Sequence, residues 1–441
     1  MSVPRSSTRV LRSVPAQLRT AGASRSLSTS RAAAIPYVAL HETAPVVSLT
    51  VAARAGPRYE PAEGVAHALK NFAFRSTNER SALRIVREAE LNGGALSAAL
   101  NKEHLLLTAE FLKGDEEHFA ALLAEVVRST KYNQFEFKED VLPSLAEDLA
   151  QASQDPVVYG LEALQATAYR YQGVGSTLFA NPAVPVQLAD VKAFAGQAFT
   201  QANLALVSSG LSGAQVEQLA KHFDGVPAGE ALLPPPAKYY GGDFRAPIAD
   251  AHGHPLPQDH FFLAFESGAQ TNRAEVAVLE ALLGGTSSVK WSHGQTPLAR
   301  IQQQVEGAEV RAFNTVSQGT GLFGLHVAAP QGKVADAAKL AVQALQRIAS
   351  GAPSAEELAR AVANAKFGAA MRFEGTRQLA HESVAAALLN DGTPSLSERL
   401  AKIDAVDAAA VSSLAESLLK SKPTTTALGA LKQLPYAEEL L

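Results

Sequence analysis

The sequence predicts an α+β fold built from two homologous α/β units, each an antiparallel-rich sheet covered by helices on one face. Three observations support this class. The order strand, helix, helix, hairpin, helix, long helix occurs in residues 35–224, and most of it recurs in residues 246–441. Between them, residues 225–245 hold four prolines and four glycines, a composition that favours an extended linker. An order shared across most of the chain favours duplication of one unit over chance.

The composition is that of a globular protein. With 441 residues and 47% apolar content, the chain can bury the cores of two or three domains. It contains no cysteine, which excludes disulfides, thiolate metal sites and a cysteine nucleophile. No segment approaches the ~18 to 20 consecutive apolar residues that a bilayer crossing requires. We therefore expect any membrane association to be peripheral and to come through partner proteins.

The first 34 residues differ in kind from the rest. They contain six arginines, many serines and no acidic residue, and the first acidic residue is Glu42. This composition is typical of a mitochondrial transit peptide, and the stretch Arg25–Ala34 predicts a two-step cleavage that leaves Ile35 first. A disordered basic tail is the alternative. Without these arginines, 33 basic residues face 43 acidic ones, a formal net charge of −10, so nucleic acid is a poor candidate partner.

Hydrophobic periodicity supplies the elements of the first unit. It predicts a half-buried strand at 46–53, followed by helices at 64–74 and 81–91. An antiparallel hairpin over 95–115 comes next and turns at Asn101 and Lys102. A helix from the N-cap Asp115 to Arg128 and one long helix at 138–171 complete the unit. In the first strand, Val47, Leu49 and Val51 alternate with Ser48 and Thr50, which predicts one apolar and one polar face.

The second unit repeats most of this order. The predicted elements are a strand at 259–268, a helix at 274–285, a strand pair over 308–330 that turns near Ser317–Gly319, and a helix at 332–350. Ser354 and Glu357 have the S-x-x-E spacing of a capping box, which predicts the start of a final long helix.

One short segment, GVAHALKNFAFRSTNER at residues 64–80, contains a candidate metal site. Histidines at positions i and i+4 of a helix lie on one face, and a glutamate beside them can activate a zinc-bound water. Here His67 has the first ligand position, but Asn71 stands at i+4 and Lys70 replaces the glutamate. An amide is a poor zinc ligand, and a lysine cation repels zinc and accepts no proton at neutral pH. We predict neither zinc binding nor peptide hydrolysis. Taken without its sequence context, a lone histidine on a helix is most often a packed or hydrogen-bonded residue, and this is the alternative for His67.

The same segment resembles the G-x-x-H-x-x-E-H-x-x-F-x-x-T-x-x-R block of the pitrilysin-like metallopeptidases, a family that includes mitochondrial processing peptidase. Gly64, His67, Phe74, Thr77 and Arg80 match, whereas Lys70 and Asn71 depart. In catalytic members a third ligand, a glutamate, lies on the long helix some 75 residues downstream. The resemblance points to Glu147 as that vestigial position. It implies that the catalytic, metal-binding and cofactor-binding residues are absent.

The resemblance also narrows the expected function. The non-catalytic, presequence-recognising α-type subunit of mitochondrial processing peptidase carries a flexible glycine-rich loop in its second half. The corresponding stretch here has only Gly284, Gly285 and Gly294, interrupted by Lys290 and Trp291. This departure implies a non-catalytic core subunit of mitochondrial ubiquinol-cytochrome c reductase, on the matrix side of the inner membrane. Such a subunit would pair with core protein 1 and with other subunits of that complex. The α-type subunit is the alternative.

Three weaker signals remain. His252 and His254 are spaced as metal ligands could be, but no third ligand is near them in sequence, so an ordinary loop is the better interpretation. The stretch LLGGTSSVK lacks the spacing of a phosphate-binding loop. Trp291, the sole tryptophan, is a candidate anchor of a partner interface or a packed residue of the chain itself.

Overall fold

A computed structural model describes residues 28–30, 35–40, 44–249, 253–268, 271–286, 294–351, 353–374 and 396–441. Except for residues 28–30, the predicted transit peptide lies outside them. So do His252, Lys290 and Trp291. The described chain forms two sheets, one in each predicted unit, and each sheet packs against its own set of helices. The predicted α+β class and the two-unit organisation are confirmed.

The first sheet has six strands in the spatial order β1-β2-β6-β3-β5-β4. They are β1 (Ser28–Ser30), β2 (Tyr37–Leu40), β3 (Val46–Ala53), β4 (Ala95–Leu100), β5 (Leu105–Leu112) and β6 (Leu204–Ser209). Neighbouring strands are antiparallel except β2 and β6, which run parallel. The helices of this unit are α1 (Val65–Asn71), α2 (Ala82–Leu91), α3 (Glu116–Ser129), α4 (Leu142–Gln154), α5 (Pro156–Ala168), α6 (Leu188–Ala198) and α7 (Gly213–Ala220).

The predicted long helix at 138–171 is broken, which corrects the sequence interpretation. A short turn at Gln134–Glu136 and a π-helical segment at Phe137–Val141 lead into α4, and α5 starts at Pro156. Proline has no backbone N–H and disfavours helical backbone in the residue before it. Asp155 is accordingly extended, and its carboxylate caps α5 by accepting the N–H groups of Val157 and Val158. The break turns α5 away from the first unit.

The first central strand is buried on both faces, so the prediction of a half-buried strand is wrong. Ser48, Thr50 and Ala52 are fully inaccessible, like their apolar neighbours. The hydroxyl groups of Thr50 and Thr108 on β5 form a hydrogen bond of 2.8 Å, which gives these two buried hydroxyls a partner. The alternation of apolar and polar residues shows which side chains share a face of the strand. It does not show whether other parts of the chain cover the polar face.

The second sheet has five strands in the order β7-β11-β8-β10-β9. They are β7 (Gly242–Ala246), β8 (Gln258–Glu266), β9 (Glu309–Ser317), β10 (Thr320–Pro330) and β11 (Thr424–Leu428). Its helices are α8 (Arg273–Leu283), α9 (Val334–Ser350), α10 (Ala355–Glu374), α11 (Leu396–Asp404) and α12 (Ala408–Lys420), with short helical turns at Ile301–Gln304 and Ala437–Leu440. The predicted capping box is present, because Ser354 and Glu357 each accept the other's backbone N–H.

The predicted linker is shorter than 225–245. Its last residues form β7, which pairs in parallel with β11 from Gly242 to Ala246. Glycine and proline content marked this stretch as unpaired, but an extended backbone can still hydrogen-bond to an open strand edge. The second sheet therefore begins before the predicted boundary at residue 246.

Each sheet has a second face that contacts the other unit. Leu164, Ala168 and Tyr169, at the end of α5, pack against Phe262 and Leu428 of the second sheet. Gly160 of α5 permits this approach, since a Cβ there would lie 2.2 Å from the Phe262 ring.

Leu396, at the start of α11, packs on the second face of the first sheet. It contacts an apolar cluster that consists of Val38, Leu40, Ala52, Leu106, Ala205 and Val207. The two units are thus joined through apolar cores as well as through the linker.

A polar contact also joins the hairpin turns of the two units. The buried guanidinium of Arg58 binds the Glu103 carboxylate in the first turn and donates to the carbonyl of Gln318 in the second, at 2.8 Å. Glu103 in turn accepts the backbone N–H of Gln318 at 2.9 Å. Nearby, the buried hydroxyl groups of Tyr169 and Thr320 form a hydrogen bond of 2.8 Å.

None of the helices within the described residues is both long enough and apolar enough to cross a membrane.

Candidate functional site

The candidate site is built on α1, which starts at a glycine that no other residue could replace without strain. Gly64 has a φ of 84°, in the left-handed region. A Cβ on Gly64 would also lie 2.6 Å from the Cβ of Ala180. Before it, the buried Glu60 carboxylate accepts the N–H of Ala66 at 2.9 Å, and burial raises the pKa of Glu60 to about 7. The helix ends at Asn71, earlier than predicted, and Phe74 then takes a φ of 60°.

His67 is held between two fixed partners. Its Nδ1 accepts the backbone N–H of Ala180 at 3.0 Å, so the ring proton of the neutral form lies on Nε2. Nε2 lies 2.9 Å from Oδ2 of Asp148 on α4 and donates to it. The Phe179 ring meets the imidazole edge to face, at 5.6 Å between centroids. Burial lowers the pKa of His67, and the nearby Lys70 cation lowers it further, against the opposing effect of Asp148.

Lys70 and Asn71 converge on the same carboxylate oxygen as His67. Lys70 Nζ lies 2.8 Å and Asn71 Nδ2 lies 3.3 Å from Asp148 Oδ2. Asn71 Nδ2 also donates to the carbonyl of His67 at 3.2 Å. Burial alone would raise the pKa of Asp148, but the hydrogen bonds from Lys70, His67 and Asn71 hold it below the usual range. The carboxylate is therefore ionised, and its Oδ2 is bound by three side chains of α1.

The carboxylate in this group is Asp148, not Glu147, which corrects the position predicted from the sequence. Glu147 is exposed on the outer side of α4. Adjacent helical residues point about 100° apart, so one step along the chain separates an inward from an outward side chain. Buried Leu145 lies on the inward side, and its neighbour at i+3 is Asp148. That periodicity was the signal in the sequence that could have identified Asp148.

The family motif implies zinc, and these side chains do not fit it. His67 and Asp148 are the only donors of the kind that zinc accepts readily, and they are hydrogen-bonded to each other. The ammonium of Lys70 contacts the carboxylate from the side, as a metal cation would. Among the described residues, no group of three or more histidine, cysteine or acidic side chains is arranged to hold a metal ion.

The remaining motif residues form a structural support beneath α1. The buried Thr77 hydroxyl accepts the N–H of Arg80 at 2.9 Å and binds the Glu125 carboxylate on α3. The Arg80 guanidinium binds Glu125 and also Glu88 on α2, the latter at 2.7 Å. Glu125 is only 2% exposed, so these two partners are what make its burial tolerable. Thr77 and Arg80 therefore position α2 and α3 and take part in no exposed chemistry.

The weaker sequence signals add nothing to this site. His254 lies in an exposed loop, while its proposed companion His252 and the candidate anchor Trp291 lie outside the described residues. Gly284 ends α8 with a φ of 70° and packs against Thr296, a role in local geometry rather than in phosphate binding.

Two family models match the chain. One, described as insulinase (peptidase family M16), matches residues 37–182. The other, described as the peptidase M16 inactive domain, matches residues 185–365.

Individual relatives match over nearly the whole length. The chain is 38% identical to the mitochondrial cytochrome b-c1 complex subunit 2 of Cryptococcus neoformans var. grubii, over 94% of this chain and 95% of that one. It is 36% identical to the protein of the same name from Neurospora crassa, over 92% and 89%. It is also 30% identical to the mitochondrial-processing peptidase subunit alpha of Solanum tuberosum, over 89% and 79%.

Proposed function

The chain belongs to peptidase family M16, and from that premise we propose that it is a non-catalytic core subunit of the mitochondrial ubiquinol-cytochrome c reductase complex, in the place of core protein 2. The observation that carries the proposal is the 38% identity to a cytochrome b-c1 complex subunit 2 across 95% of that protein. The similarity to a processing peptidase alpha subunit is lower and covers less of the relative, 79%.

The chain hydrolyses no peptides in this proposal. Peptide hydrolysis by this family needs a zinc-bound water and a carboxylate that accepts its proton. At the position of that carboxylate stands Lys70, whose ammonium is 2.8 Å from Asp148. At the position of the second histidine stands Asn71, which donates its amide hydrogen instead of offering a lone pair. A zinc ion would therefore lack its second histidine ligand here, and the reaction would lack a carboxylate to act as general base.

The role that remains is structural. In the proposal the subunit pairs with core protein 1 on the matrix side of the inner membrane, and it carries no quinone, haem or iron-sulfur centre of its own. Its membrane association is peripheral and depends on partner subunits. The close packing of the two units supports such a role, because α5 and the Arg58 contact fix them against each other. A fixed pair of units presents one invariant surface to its neighbours.

The decisive experiment is native electrophoresis of digitonin-solubilised mitochondria that contain the tagged full chain. We expect the chain to co-migrate with the haem of cytochrome b, and its depletion to remove the assembled complex while presequence cleavage continues. Migration with a soluble presequence-cleaving activity, and loss of that activity on depletion, would instead identify the α-type peptidase subunit.

A matched variant tests the absence of catalysis. The His67→Gln variant removes the one zinc-type nitrogen donor of the site but retains a side chain that can donate a hydrogen bond to Asp148. We expect His67→Gln to restore assembly of the complex in depleted cells as well as the wild-type chain does, when compared at equal protein abundance. A variant that assembles normally but fails to support a peptidase activity would contradict the non-catalytic proposal.

A further inference from the structure

The second unit contains an open cleft beside α8, the helix that follows its central strand β8. It lies between α8, α10 and α11, beside the edge strand β9, and has a volume of about 800 Å³. That volume is within the range of ligand-binding clefts, about 300 to 1,000 Å³. Its floor consists of small or apolar side chains, namely Ala274, Ala277, Ala281, Ala365, Ala369 and Ile403. A floor of alanines lets a bound segment approach the two helices closely.

The rim of this cleft is cationic. Among the described residues that line it, five are basic, namely Arg273, Arg311, Arg372, Arg399 and Lys402. Two are acidic, Glu280 and Glu398. This excess is local, because the whole chain has a formal net charge of −4. The basic residues come from α8, β9, α10 and α11, so it is the fold that gathers them.

The pKa values of two ionisable side chains in the cleft reflect how close together these charges lie. Partial burial and then the positive charges of Arg372 and Arg273 lower the pKa of Arg399. Glu280, which also lines the cleft, binds the Asn314 amide, and burial raises the pKa of Glu280 despite the nearby Arg372. Arginine is the side chain best suited to bind a carboxylate in a bidentate manner. An occupant with several carboxylates would relieve the repulsion among the arginines.

An exposed apolar ridge runs beside the cationic rim on α10. Ala363, Phe367 and Met371 are spaced four residues apart and therefore share one face. Phe367 is 66% and Met371 is 47% exposed, so the two side chains form an exposed apolar pair on this face. The neighbouring positions Asn364, Gly368 and Arg372 line the cleft. The groove thus offers an apolar surface and a cationic surface side by side.

We propose that this cleft binds an acidic amphipathic segment of a partner protein, with its carboxylates on the arginine rim and its apolar face on the alanine floor and the α10 ridge. A helix laid in a groove is recognised through such paired surfaces. The charge of the cleft is opposite to what an arginine-rich presequence would require. The proposal goes beyond assembly into a respiratory complex and stands on a different site, so either can fail without the other.

The test uses the full chain, with any subunits that co-purify with it. The probe is a dye-labelled amphipathic peptide of glutamate, leucine and alanine, compared with the same peptide in which lysine replaces glutamate. Fluorescence anisotropy should show salt-sensitive binding of the acidic peptide only. The double variant Arg372→Glu, Arg399→Glu should weaken that binding at least about tenfold. The control Lys420→Glu, at an exposed ion pair on α12, should leave it unchanged.

Circular dichroism melting of each variant checks that it is folded. If the double charge reversal unfolds the cleft, the milder double variant Arg372→Gln, Arg399→Gln replaces it and should show an intermediate loss of acidic-peptide binding. Equal binding of the two peptides, or acidic-peptide binding that neither arginine pair changes, would overturn the proposal. So would binding of phosphatidylglycerol vesicles that depends on the same arginines while the acidic peptide does not bind, since the occupant would then be a lipid surface.

Discussion

The two units place a helix at the same point of their order, directly after a central strand, and use it in opposite ways. In the first unit, every polar group of α1 that faces α4 is bound within the chain: His67, Lys70 and Asn71 all meet Asp148. In the second unit, α8 packs directly on α10, and these two helices together with α11 and β9 line an open cleft with five basic residues. One site is closed by its own side chains, whereas the other is left open to an outside partner.

The contrast is one of internal satisfaction. The His67 imidazole is buried and the Asp148 carboxylate is partly buried, and each unsatisfied buried polar group costs about 1 to 3 kcal/mol. Lys70 and Asn71 give Asp148 two further partners, so the polar groups of the first site stabilise the fold. The arginines on the exposed rim of the second cleft do not need partners of this kind, because water can solvate them. Stability should therefore depend on the first site, and ligand binding on the second.

The largest expected effect comes from the support beneath α1. Arg80→Ala removes the cation that neutralises the buried Glu125 and should lower the free energy of unfolding by about 3 kcal/mol. Urea denaturation followed by circular dichroism measures this loss. The matched change in the cleft, Arg372→Ala, should alter stability by no more than about 0.5 kcal/mol. Equal losses in the two variants would contradict the contrast between a closed and an open site.

The second prediction uses two glycines and expects opposite signs. Gly64→Ala forces a β-carbon into left-handed backbone and against Ala180, and should destabilise the chain by about 2 kcal/mol. Gly368→Ala lies in mid-helix with nothing within 4 Å, and should stabilise the chain by about 0.5 to 1 kcal/mol. Thermal melting of both variants gives the signs. A loss at Gly368 would show that the cleft is more tightly packed than described.

The smallest expected effect is at Lys70. The Lys70→Met variant loses one partly exposed hydrogen-bonded ion pair, which should cost about 1 kcal/mol at pH 7.5. In the folded chain the pKa of His67 is lowered, so its stabilising contribution is present above pH 6.5 and is lost as pH falls towards the folded value. Without the lysine charge that pKa should move up towards 6.5, and the acid-induced loss should shrink.

Histidine titration by NMR measures the shift at His67, and denaturation curves between pH 7.5 and pH 4.5 measure the stability. Lys402→Met, on the rim of the cleft, is the control and should change neither quantity. A His67 pKa that is the same with and without Lys70 would show that the two side chains are not coupled.

Periodicity and local motifs predicted the class of fold, the hairpins and the departure of Lys70 and Asn71 from a zinc motif. These sequence patterns gave wrong predictions where burial or side-chain direction depends on residues that are distant in the sequence. The inward turn of Asp148 instead of Glu147 depends on how α4 packs, and the burial of Ser48 and Thr50 depends on cover from elsewhere in the chain. The break at Pro156 could have been predicted, because proline within a helical pattern ends or kinks the helix. The basic residues of the cleft come from four elements that are far apart in the sequence, so no local sequence pattern predicts the cleft.

The exchange of cover between the two units has a consequence for the order in which the chain can fold. The apolar end of α5 rests on β8, β10 and β11, and β11 lies about 260 residues later in the sequence. Domains generally fold as units, but here the apolar end of α5 is covered by strands of the other unit, including Leu428 near the end of the chain. We therefore expect the first unit to reach its final packing only when the second sheet has formed around β11.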